Sequence, residues 1–465
     1  MGGGIAVRYF ELSQAKVLIL GGGITGAAVS RVLRSRGMEV SIVDENESLA
    51  AGGAGYISME IATDATWSFA VVSPGWRTDH PFIKRLRAKG VPLVSEIDLA
   101  WQLRDELAPG QKWLAITGTN GKTTTVEMVT AMLQADGRKA AACGNVGETV
   151  IEAVAGEIMY DYLVLELSSF QLQWSDLPEF YACAILNIAD DHVDWHGSFA
   201  EYVYAKLRIL KRSQMAILNA DDGTIVTATQ HWHGRKVFFS LDTPSPGELG
   251  VVENLLVDRA FIADPQEAVL IAELVDVHPS APHNVSNALA AAGLACSVGV
   301  SHEVIRGALQ AFRPGRHRIE TILESNGITW INDSKATNPH AAAASLMSQF
   351  SVIWIAGGLA KGAAMESLIA RTKGRIKAAI LIGTDRELIA TALATQTPEV
   401  KVVRIDADAG ATDSLMERVV LAAKDLATSG DVVLLAPACA SMDQFISYAD
   451  RGDQFTAAVK KLAQS

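Results

Sequence analysis

The chain has 465 residues, of which 49% are hydrophobic and 20% are charged, as expected for a soluble protein with several domains. Its formal net charge of −12 excludes an extended nucleic-acid surface, because such surfaces neutralise phosphates with clustered Lys and Arg. The four cysteines lack CxxC spacing, apolar runs are too short to span a membrane, and no signal peptide is recognisable. We therefore expect a cytoplasmic protein without membrane insertion.

The first segment, residues 16–43, predicts a strand, a glycine-rich turn, a helix and a second strand. The turn fits the GxGxxG pattern of a Rossmann-like site for a nucleotide diphosphate, and the second strand ends in an acid that could bind a ribose. Tight packing alone and a nicotinamide-dependent dehydrogenase are competing interpretations. The residues of this prediction are Gly21, Gly23, Gly26 and Asp44, with Ser73 and Gly75 after the third strand.

Residues 115–125, which read AITGTNGKTTT, are interpreted as a phosphate loop between a strand and a helix over 122–135. Backbone N–H groups and the helix N-terminus face an anion, Lys122 contacts the outer phosphates, and the Thr123 hydroxyl is available to Mg²⁺. Ile116 occupies the place of the usual first glycine, so an ordinary strand-to-helix turn is the alternative.

Alternating strands and helices after the loop predict a largely parallel central sheet. Polar residues follow several of its strands, at the sheet edge where ligands bind: Asn145, Glu166 and His192. Glu166 is a candidate Mg²⁺ ligand. A helix near 198–210 places Tyr202 and Lys206 on one face, where Lys206 has an ordinary interpretation as a solvated lysine.

The third unit begins near Gly315 and predicts a doubly wound sheet. Asn326-Gly327 indicates a hairpin turn. The polar loop at 332–338 could be a helix cap, or its side chains could converge on one ligand. Further loops at strand ends lie at 357–361 and 436–441.

The ordered motifs TGTNGKTT, GNVG, LELSSFQL, DHxDxHG, YxxAK, HNxxN, NDSKATN and PACASMDQF, preceded by VSPG, resemble those of the bacterial Mur ligases from residue 16 to the end. The resemblance implies three domains: a Rossmann-like domain (1–107) binding the UDP substrate, a central P-loop parallel sheet (108–314) binding ATP, and a Rossmann-like doubly wound domain (315–465) binding the amino acid. It implies ATP-dependent addition of D-glutamate to UDP-N-acetylmuramoyl-L-alanine by a monomer, within peptidoglycan synthesis.

The resemblance also implies roles for individual residues. Those expected at ATP are Gly118, Thr119, Asn120, Gly121, Lys122, Thr123, Thr124, His283, Asn284, Asn287, Arg318 and Asp333. Those expected at the UDP substrate are Gly23, Ile24, Thr25, Asp44, Ser73, Gly75, Asn145, Ser168 and Gln171. Those expected at glutamate are Lys335, Thr337, Lys361, Ser441, Met442 and Tyr448. Two Mg²⁺ ions would be held by Thr123, Glu166, His192 and Lys206, the last as a CO₂-derived carbamate. The catalytic set would be Lys122, His192, Lys206, Lys335 and Arg318.

Departures from the family pattern leave the amino acid open. Arg316 could share the phosphate role of Arg318, the loop 357–361 lacks an acid often found there, and Tyr448 replaces a usual phenylalanine. L-glutamate or a diamino acid is therefore an alternative substrate, and a nucleotide-binding regulator is a more distant alternative function.

Overall fold

The computed structural model describes residues 14–46, 55–407 and 414–464, whose strands form three sheets and confirm the α/β class. Residue contacts group these residues into two units. One comprises the described residues up to Ile188, with Gly197–Val277 and Val285–Phe312, and the other comprises Ala189–His196, His278–Asn284 and the described residues from Arg313 onward. The domain boundaries at 107 and 314 stay predictions. None of the described helices has the length and hydropathy needed to cross a membrane.

The first sheet is wholly parallel, with the strand order β2-β1-β3-β4. After the exposed first residues of β1 and β2, its strands consist mainly of buried Val, Ile, Leu, Ala and Phe, as parallel strands covered on both faces require. The strands are β1 (Lys16–Leu20), β2 (Glu39–Val43), β3 (Phe69–Val72) and β4 (Leu93–Val94). The helices are Ile24–Ser35, Met59–Asp64, Pro81–Ala88 and Glu96–Leu107.

The central sheet has the order β13-β12-β11-β10-β9-β8-β5-β7-β6 and is parallel from β6 to β11, whereas β11, β12 and β13 pair antiparallel at one edge. Its strands are β5 (Lys112–Thr117), β6 (Ala140–Gly144), β7 (Tyr162–Glu166), β8 (Ala182–Ile185), β9 (Met215–Asn219), β10 (Arg235–Phe239), β11 (Leu249–Val252), β12 (Leu255–Asp258) and β13 (Val269–Glu273). The α-helices are Lys122–Ala135, Val150–Ala155, Ser169–Trp174, Val193–His196, Phe199–Leu207, Gly223–Ala228, Pro282–Ser297 and His302–Ala311, and 3₁₀ turns occur at Arg208–Leu210 and Leu274–Asp276.

The third sheet has the order β14-β15-β19-β16-β17-β18, parallel except for the β14–β15 hairpin predicted at Asn326-Gly327. Its strands are β14 (Glu320–Ser325), β15 (Ile328–Asn332), β16 (Val352–Gly357), β17 (Ile376–Ile382), β18 (Lys401–Arg404) and β19 (Val432–Leu435). Helices Pro339–Met347, Glu366–Thr372, Arg386–Gln396, Leu415–Leu426 and Tyr448–Gln464, with a 3₁₀ turn at Lys373–Arg375, complete it.

The first and central sheets share one hydrophobic core, which includes Ile19, Ile97, Trp113 and Ile151. Buried acids of helix Glu96–Leu107 reinforce this contact. Asp98 Oδ1 accepts hydrogen bonds from Asp176 N and Leu177 N, both at 2.9 Å. Glu96 Oε1 accepts one from Ile151 N at 2.6 Å. The two sheets are thus joined by packing and by hydrogen bonds to buried carboxylates.

Glu96→Gln tests this contact through its pH dependence. Burial raises the pKa of Glu96 from 4.5 to about 7. The folded state therefore binds more protons than the unfolded state between these values, and stability falls as pH rises through them, by up to about 3 kcal/mol. Glutamine keeps the acceptor oxygen but does not titrate. We therefore expect the Tm of Glu96→Gln minus the Tm of wild type to increase between about pH 5 and pH 8, because only the wild type loses stability over this range.

Exposed Glu157→Gln is the matched control for this measurement, because it removes a carboxyl group from the surface of the same unit. Its Tm difference from wild type should stay constant over the same pH range. Parallel Tm curves for Glu96→Gln and wild type would contradict the prediction.

Candidate active site

The loop that connects β5 to helix Lys122–Ala135 has the strand-loop-helix geometry of a phosphate-binding site. Asn187 fixes its shape: Asn120 N donates to Asn187 Oδ1 at 2.7 Å, and Thr119 N donates to Asn187 O at 2.9 Å. Lys122 Nζ donates to the carbonyl oxygens of Gly118 and Thr119, each at 3.0 Å. The ammonium group thus lies at the loop, beside the helix N-terminus that attracts an anion.

Gly121 is the residue that lets this loop turn into the helix. It has φ +80°, and a Cβ at this position would lie 2.2 Å from Oδ1 of Asn287. Asn287 is buried on helix Pro282–Ser297 and belongs to the same unit as the loop. Asn287 therefore fills the space that a side chain at position 121 would need, so only glycine fits there without a shift of Asn287.

Gly121→Ala is expected to lower ATP affinity by at least about tenfold and to destabilise the protein, because left-handed backbone strain and the clash with Asn287 add. Gly110→Ala is the matched control: Gly110 has φ +88° but nothing within 4 Å of its Cβ position. It should show only the strain cost of about 1–2 kcal/mol and bind ATP normally. Titration calorimetry and urea unfolding compare the two variants. Equal ATP affinities would refute the prediction.

Lys206 is a buried lysine at the phosphate loop, and its side chain is only 2% exposed. Its Nζ donates to Gly118 O at 2.8 Å and lies 4.6 Å from the centre of the Tyr202 ring. The Tyr202 hydroxyl in turn lies 2.9 Å from Thr119 Oγ1. The ordinary interpretation of Lys206 as a solvated surface lysine is therefore wrong.

Glu166 ends β7 and is buried beside the turn that follows β6. Its Oε1 accepts a hydrogen bond from Asn145 Nδ2 at 2.8 Å, whereas Oε2 is buried without a hydrogen-bond partner among the described residues. A buried carboxylate oxygen with no donor is costly unless something else binds it. A hard cation fits this oxygen, since Mg²⁺ prefers carboxylate ligands.

His192 belongs to the second unit, with the rest of Ala189–His196. It has a left-handed backbone with φ +53°, and its Nε2 lies 3.6 Å from Asp191 Oδ2. Asn284 of the same unit uses Nδ2 to donate to the carbonyls of His278 and Pro279, at 3.1 and 3.0 Å. Desolvation lowers the pKa of His283 to about 4. Metal binding by His192 and adenine contacts by His283 and Asn284 stay predictions.

The glycine-rich turn after β1 presents an exposed helix N-terminus at Gly23 and Ile24. Asp44 is already engaged with this turn: Oδ2 accepts from Gly22 N at 2.6 Å, and Oδ1 accepts from Asn46 N at 2.8 Å. Asp44 therefore shapes the turn, and ribose binding by it stays a prediction.

Helix capping accounts for the contacts of Ser168 and Gln171 in this structure. Ser168 Oγ accepts from Gln171 N at 3.2 Å, and Gln171 Oε1 accepts from Ser168 N at 2.9 Å. This reciprocal pair is a capping box at the start of helix Ser169–Trp174. Their predicted contacts with the UDP substrate are untested, as are those of Thr25, Ser73 and Gly75.

In the third sheet, β15, β19 and β16 are neighbours, so the loops after them share one edge. All three of these loops and the start of the last helix carry predicted glutamate-binding residues. Lys335 Nζ lies 3.9 Å from the centre of the Tyr448 ring. Ser441 is buried, Lys361 and Met442 are exposed, and Thr337 N donates to Lys335 O at 2.8 Å.

Asp333 is a buried acid tied to its own unit rather than presented to solvent. Its Oδ1 accepts from Ile319 N at 3.2 Å, and its Oδ2 accepts from the Ser345 hydroxyl. Burial raises its pKa to about 6, an effect that these hydrogen bonds and the nearby Arg318 only partly offset. Contact of Asp333 and Arg318 with ATP stays a prediction.

Arg451 was missed as a candidate although it is fully buried and contacts three loops of the third unit. A helical pattern in the sequence could have found it. Arg451 lies four residues before Phe455 and eight before Val459, on the buried face of helix Tyr448–Gln464. A lone arginine on an apolar helix face requires buried partners.

A second group of side chains with metal-binding atoms lies beside the central sheet. One such atom from each of Asp258, Cys296 and His302 lies within 4.8 Å of the others. His302 Nε2 lies 2.8 Å from Asp258 Oδ2, and Asp258 Oδ1 accepts from two backbone N–H groups. These hydrogen bonds give both carboxylate oxygens of Asp258 a partner within the fold. None of the predicted metal ligands belongs to this group.

Two family models match the chain: Mur ligase middle domain at residues 116–295, and Mur ligase, glutamate ligase domain at residues 317–439. Among curated proteins, the chain is 47% identical to the UDP-N-acetylmuramoylalanine--D-glutamate ligase of Streptomyces avermitilis, over 96% of this chain and 98% of that protein. It is 46% identical to that of Thermobifida fusca, over 97% and 100% respectively.

The fold is similar to solved structures of other ligases. UDP-N-acetylmuramate-alanine ligase MurC from Thermotoga maritima matches with a TM-score of 0.57 and 17% identity, over 96% of this chain and 99% of that chain. MurF from Acinetobacter baumannii matches with a TM-score of 0.59 and 17% identity, over 82% and 87%. The geometry of the phosphate loop, the matched domains and the near full-length relatives agree. The chain therefore belongs to the Mur ligase family, in its group of D-glutamate ligases.

Proposed function

We propose that this chain joins D-glutamate to the alanyl carboxylate of UDP-N-acetylmuramoyl-L-alanine with cleavage of ATP to ADP and phosphate, acting as a monomer in the cytoplasm. The observation that carries the proposal is the identity of 47% to a D-glutamate ligase across 96% of the chain. The two lysines at the phosphate loop support it. The product would be a peptidoglycan precursor.

The reaction needs ATP because a carboxylate is a poor electrophile. Its oxygen attacks the γ-phosphorus of ATP, the bond from that phosphorus to the bridging oxygen breaks, and ADP leaves. The amine of glutamate then attacks the carbonyl carbon of the acyl phosphate, and the tetrahedral intermediate expels phosphate while the nitrogen loses a proton. Catalysis of such steps depends on positioning and on stabilising charge.

The central sheet would bind ATP. Lys122 would leave the carbonyls of Gly118 and Thr119 and contact the transferred phosphate, and the loop amides would hold the others. Thr123 and the partnerless Oε2 of Glu166 would hold one Mg²⁺ ion. Mg²⁺, when bound, neutralises phosphate charge that would repel the attacking carboxylate.

Lys206 would act as a carbamate. This group is an anion and would attract Mg²⁺, whereas the ammonium group of an unmodified lysine would repel it. Its burial supports this role, because removal from water favours the neutral amine that reacts with CO₂. The amine nitrogen bonds to the carbon of CO₂ and loses a proton, giving the carbamate without any redox change. With His192, this carbamate would hold the second Mg²⁺.

The loops at the edge of the third sheet would bind the amino acid. Lys335 has the charge to pair with a glutamate carboxylate, and its position against the Tyr448 ring supports a fixed orientation. Lys361, Thr337 and Ser441 would complete the site. L-glutamate is the alternative substrate, since the same groups could pair with either enantiomer.

Phosphate release tests the proposed reaction class. With purified protein, ATP and Mg²⁺, we expect release only when both UDP-N-acetylmuramoyl-L-alanine and an amino acid are present. Omission of either should reduce the rate to background, because the acyl phosphate forms on one substrate and is discharged by the other. Release that is independent of the amino acid would refute a ligase.

A further inference from the structure

Arg451 makes hydrogen bonds to three separate loops of the third unit. Its Nε donates to Ser334 Oγ and its Nη2 to Ser334 O, both at 3.0 Å. Its Nη1 donates to Cys439 O at 3.2 Å and, over a longer distance of 3.5 Å, to Gly357 O. Ser334 and Cys439 belong to the loops after β15 and β19, and Gly357 is the last residue of β16, where the third loop begins. These three loops carry Lys335, Ser441 and Lys361. One guanidinium group therefore ties together the backbone of all three.

The charge of Arg451 is buried without a carboxylate partner. The side chain is fully buried, and it forms no ion pair within the described residues. Burial lowers its pKa to about 10, so the group stays protonated at neutral pH. A buried cation is expensive unless its donors are satisfied. Here each of the three guanidinium nitrogens donates to at least one carbonyl or hydroxyl oxygen.

The loops that Arg451 contacts have unusual backbone conformations. Ala438 has φ +59° and Lys361 has φ +51°, values that side chains other than glycine rarely adopt. Gly358 has φ +131°, and a Cβ there would lie 2.1 Å from Ala440 O. Strained residues of this kind persist only where the surrounding structure fixes them. The hydrogen bond from Arg451 to Cys439 O lies next to Ala438 and supplies one such restraint.

A second contact links Arg451 to the aromatic side of the site. Ser334 Oγ, which accepts from Arg451, donates to Tyr448 O at 2.7 Å. The Tyr448 ring in turn covers Lys335 Nζ. Ser334 thus joins the arginine, the polar loop and the first residue of helix Tyr448–Gln464. A substitution of Arg451 would therefore affect Lys335 in two ways. It would remove the hydrogen bond to the carbonyl of the preceding residue, Ser334, and it would alter the contact of Ser334 with Tyr448.

We propose that Arg451 is a positioning residue for the amino-acid substrate, holding these loops in the arrangement that binds glutamate. This inference rests on the proposed function, in which the same loops bind the amino acid. Arg451 itself does not contact the reacting atoms. A binding site held in place beforehand loses less entropy when its ligand binds, so loss of this restraint weakens glutamate binding more than ATP binding.

Arg451→Lys and Ser334→Ala test the proposal, with Lys461→Ala at the exposed end of the same helix as control. Lysine keeps the charge but cannot reach all three loops. We expect Arg451→Lys to raise KM for D-glutamate at least about tenfold, with KM for ATP changed less than about twofold. Ser334→Ala should raise KM for D-glutamate about threefold or more. Lys461→Ala should leave both values unchanged.

Hydrogen–deuterium exchange of the substrate-free protein supplies a readout that does not need activity. In both test variants, amide exchange should accelerate in 332–338, 357–361 and 436–441, and stay unchanged in the central sheet. Unaltered exchange in these loops would overturn the proposal, and so would equal rises in both KM values. If Arg451→Lys does not fold, Ser334→Ala decides by the same criteria. A wild-type protein without ligase activity would refute the proposed function, while the exchange result would still test the restraint.

Discussion

Lys206→Ala should lower kcat by about a thousandfold or more, because it would remove both the proposed metal-binding carbamate and the contact with the phosphate loop. The substituted protein should keep its fold, since Tyr202 and the surrounding core remain. Steady-state ligation at saturating substrates measures the effect. Lys211→Ala is the matched control: this lysine lies on the same segment, is exposed, and pairs with Asp176 on the surface. It should keep wild-type activity.

Chemical rescue distinguishes a carbamate from an ammonium group at this position. Acetate or formate is small enough to occupy the space of the missing Lys206 side chain and would restore an anion at the proposed metal site. We expect either carboxylate to raise kcat by at least about tenfold, whereas methylammonium should have no effect. Rescue by methylammonium alone would show that Lys206 acts as a cation. Full activity of the alanine variant without rescue would remove Lys206 from the mechanism.

Lys122→Ala should reduce kcat/KM for ATP by about a thousandfold, because no other charged group of the loop can replace the ammonium at the transferred phosphate. The KM for UDP-N-acetylmuramoyl-L-alanine should change little, since we expect its UDP moiety to bind at the first sheet. Lys139→Ala, which changes an exposed lysine beyond the C-terminal end of the same helix, is the control.

Lys122→Arg sharpens this test. Arginine keeps the charge but is longer and planar, so it cannot reproduce the point contacts that Lys122 Nζ makes with the carbonyl oxygens of Gly118 and Thr119. We expect it to remain at least about a hundredfold impaired. If both variants kept normal ATP kinetics, the loop would not be the nucleotide site.

Much of the fold could be predicted from local sequence patterns. The helix 122–135 has the predicted ends, and residues 16–43 form the predicted strand, turn, helix and strand. Each buried strand is an apolar run, and glycine or polar residues follow it. The antiparallel edge of the central sheet, 249–273, was not predicted, because short strands at a sheet edge carry weaker periodicity than buried ones.

Some residues of the candidate site could be predicted from the sequence, whereas the surroundings of others could not. Position after a strand was enough to select Glu166 and Asn145, whose side chains the structure joins by a hydrogen bond. Lys206 is buried by Tyr202 and the phosphate loop together. The sequence places Lys206 and Tyr202 on one helix face but does not show the contact with the loop, so the ordinary interpretation was a solvated lysine. Arg451 was missed because its acceptors, apart from Ser334 Oγ, are backbone carbonyls, which leave no pattern in the sequence. Its place on the buried face of the last helix was the signal that could have found it.

The most direct test of the account is the mass and stereochemistry of the product. The purified protein is incubated with UDP-N-acetylmuramoyl-L-alanine, ATP, Mg²⁺ and an equal mixture of D-glutamate and deuterium-labelled L-glutamate. We predict that the UDP product gains the mass of one unlabelled glutamate residue, with one phosphate released for each product. A product that carries the labelled L-glutamate, or no gain in mass while ATP is hydrolysed, would contradict the assignment of this chain as a D-glutamate ligase.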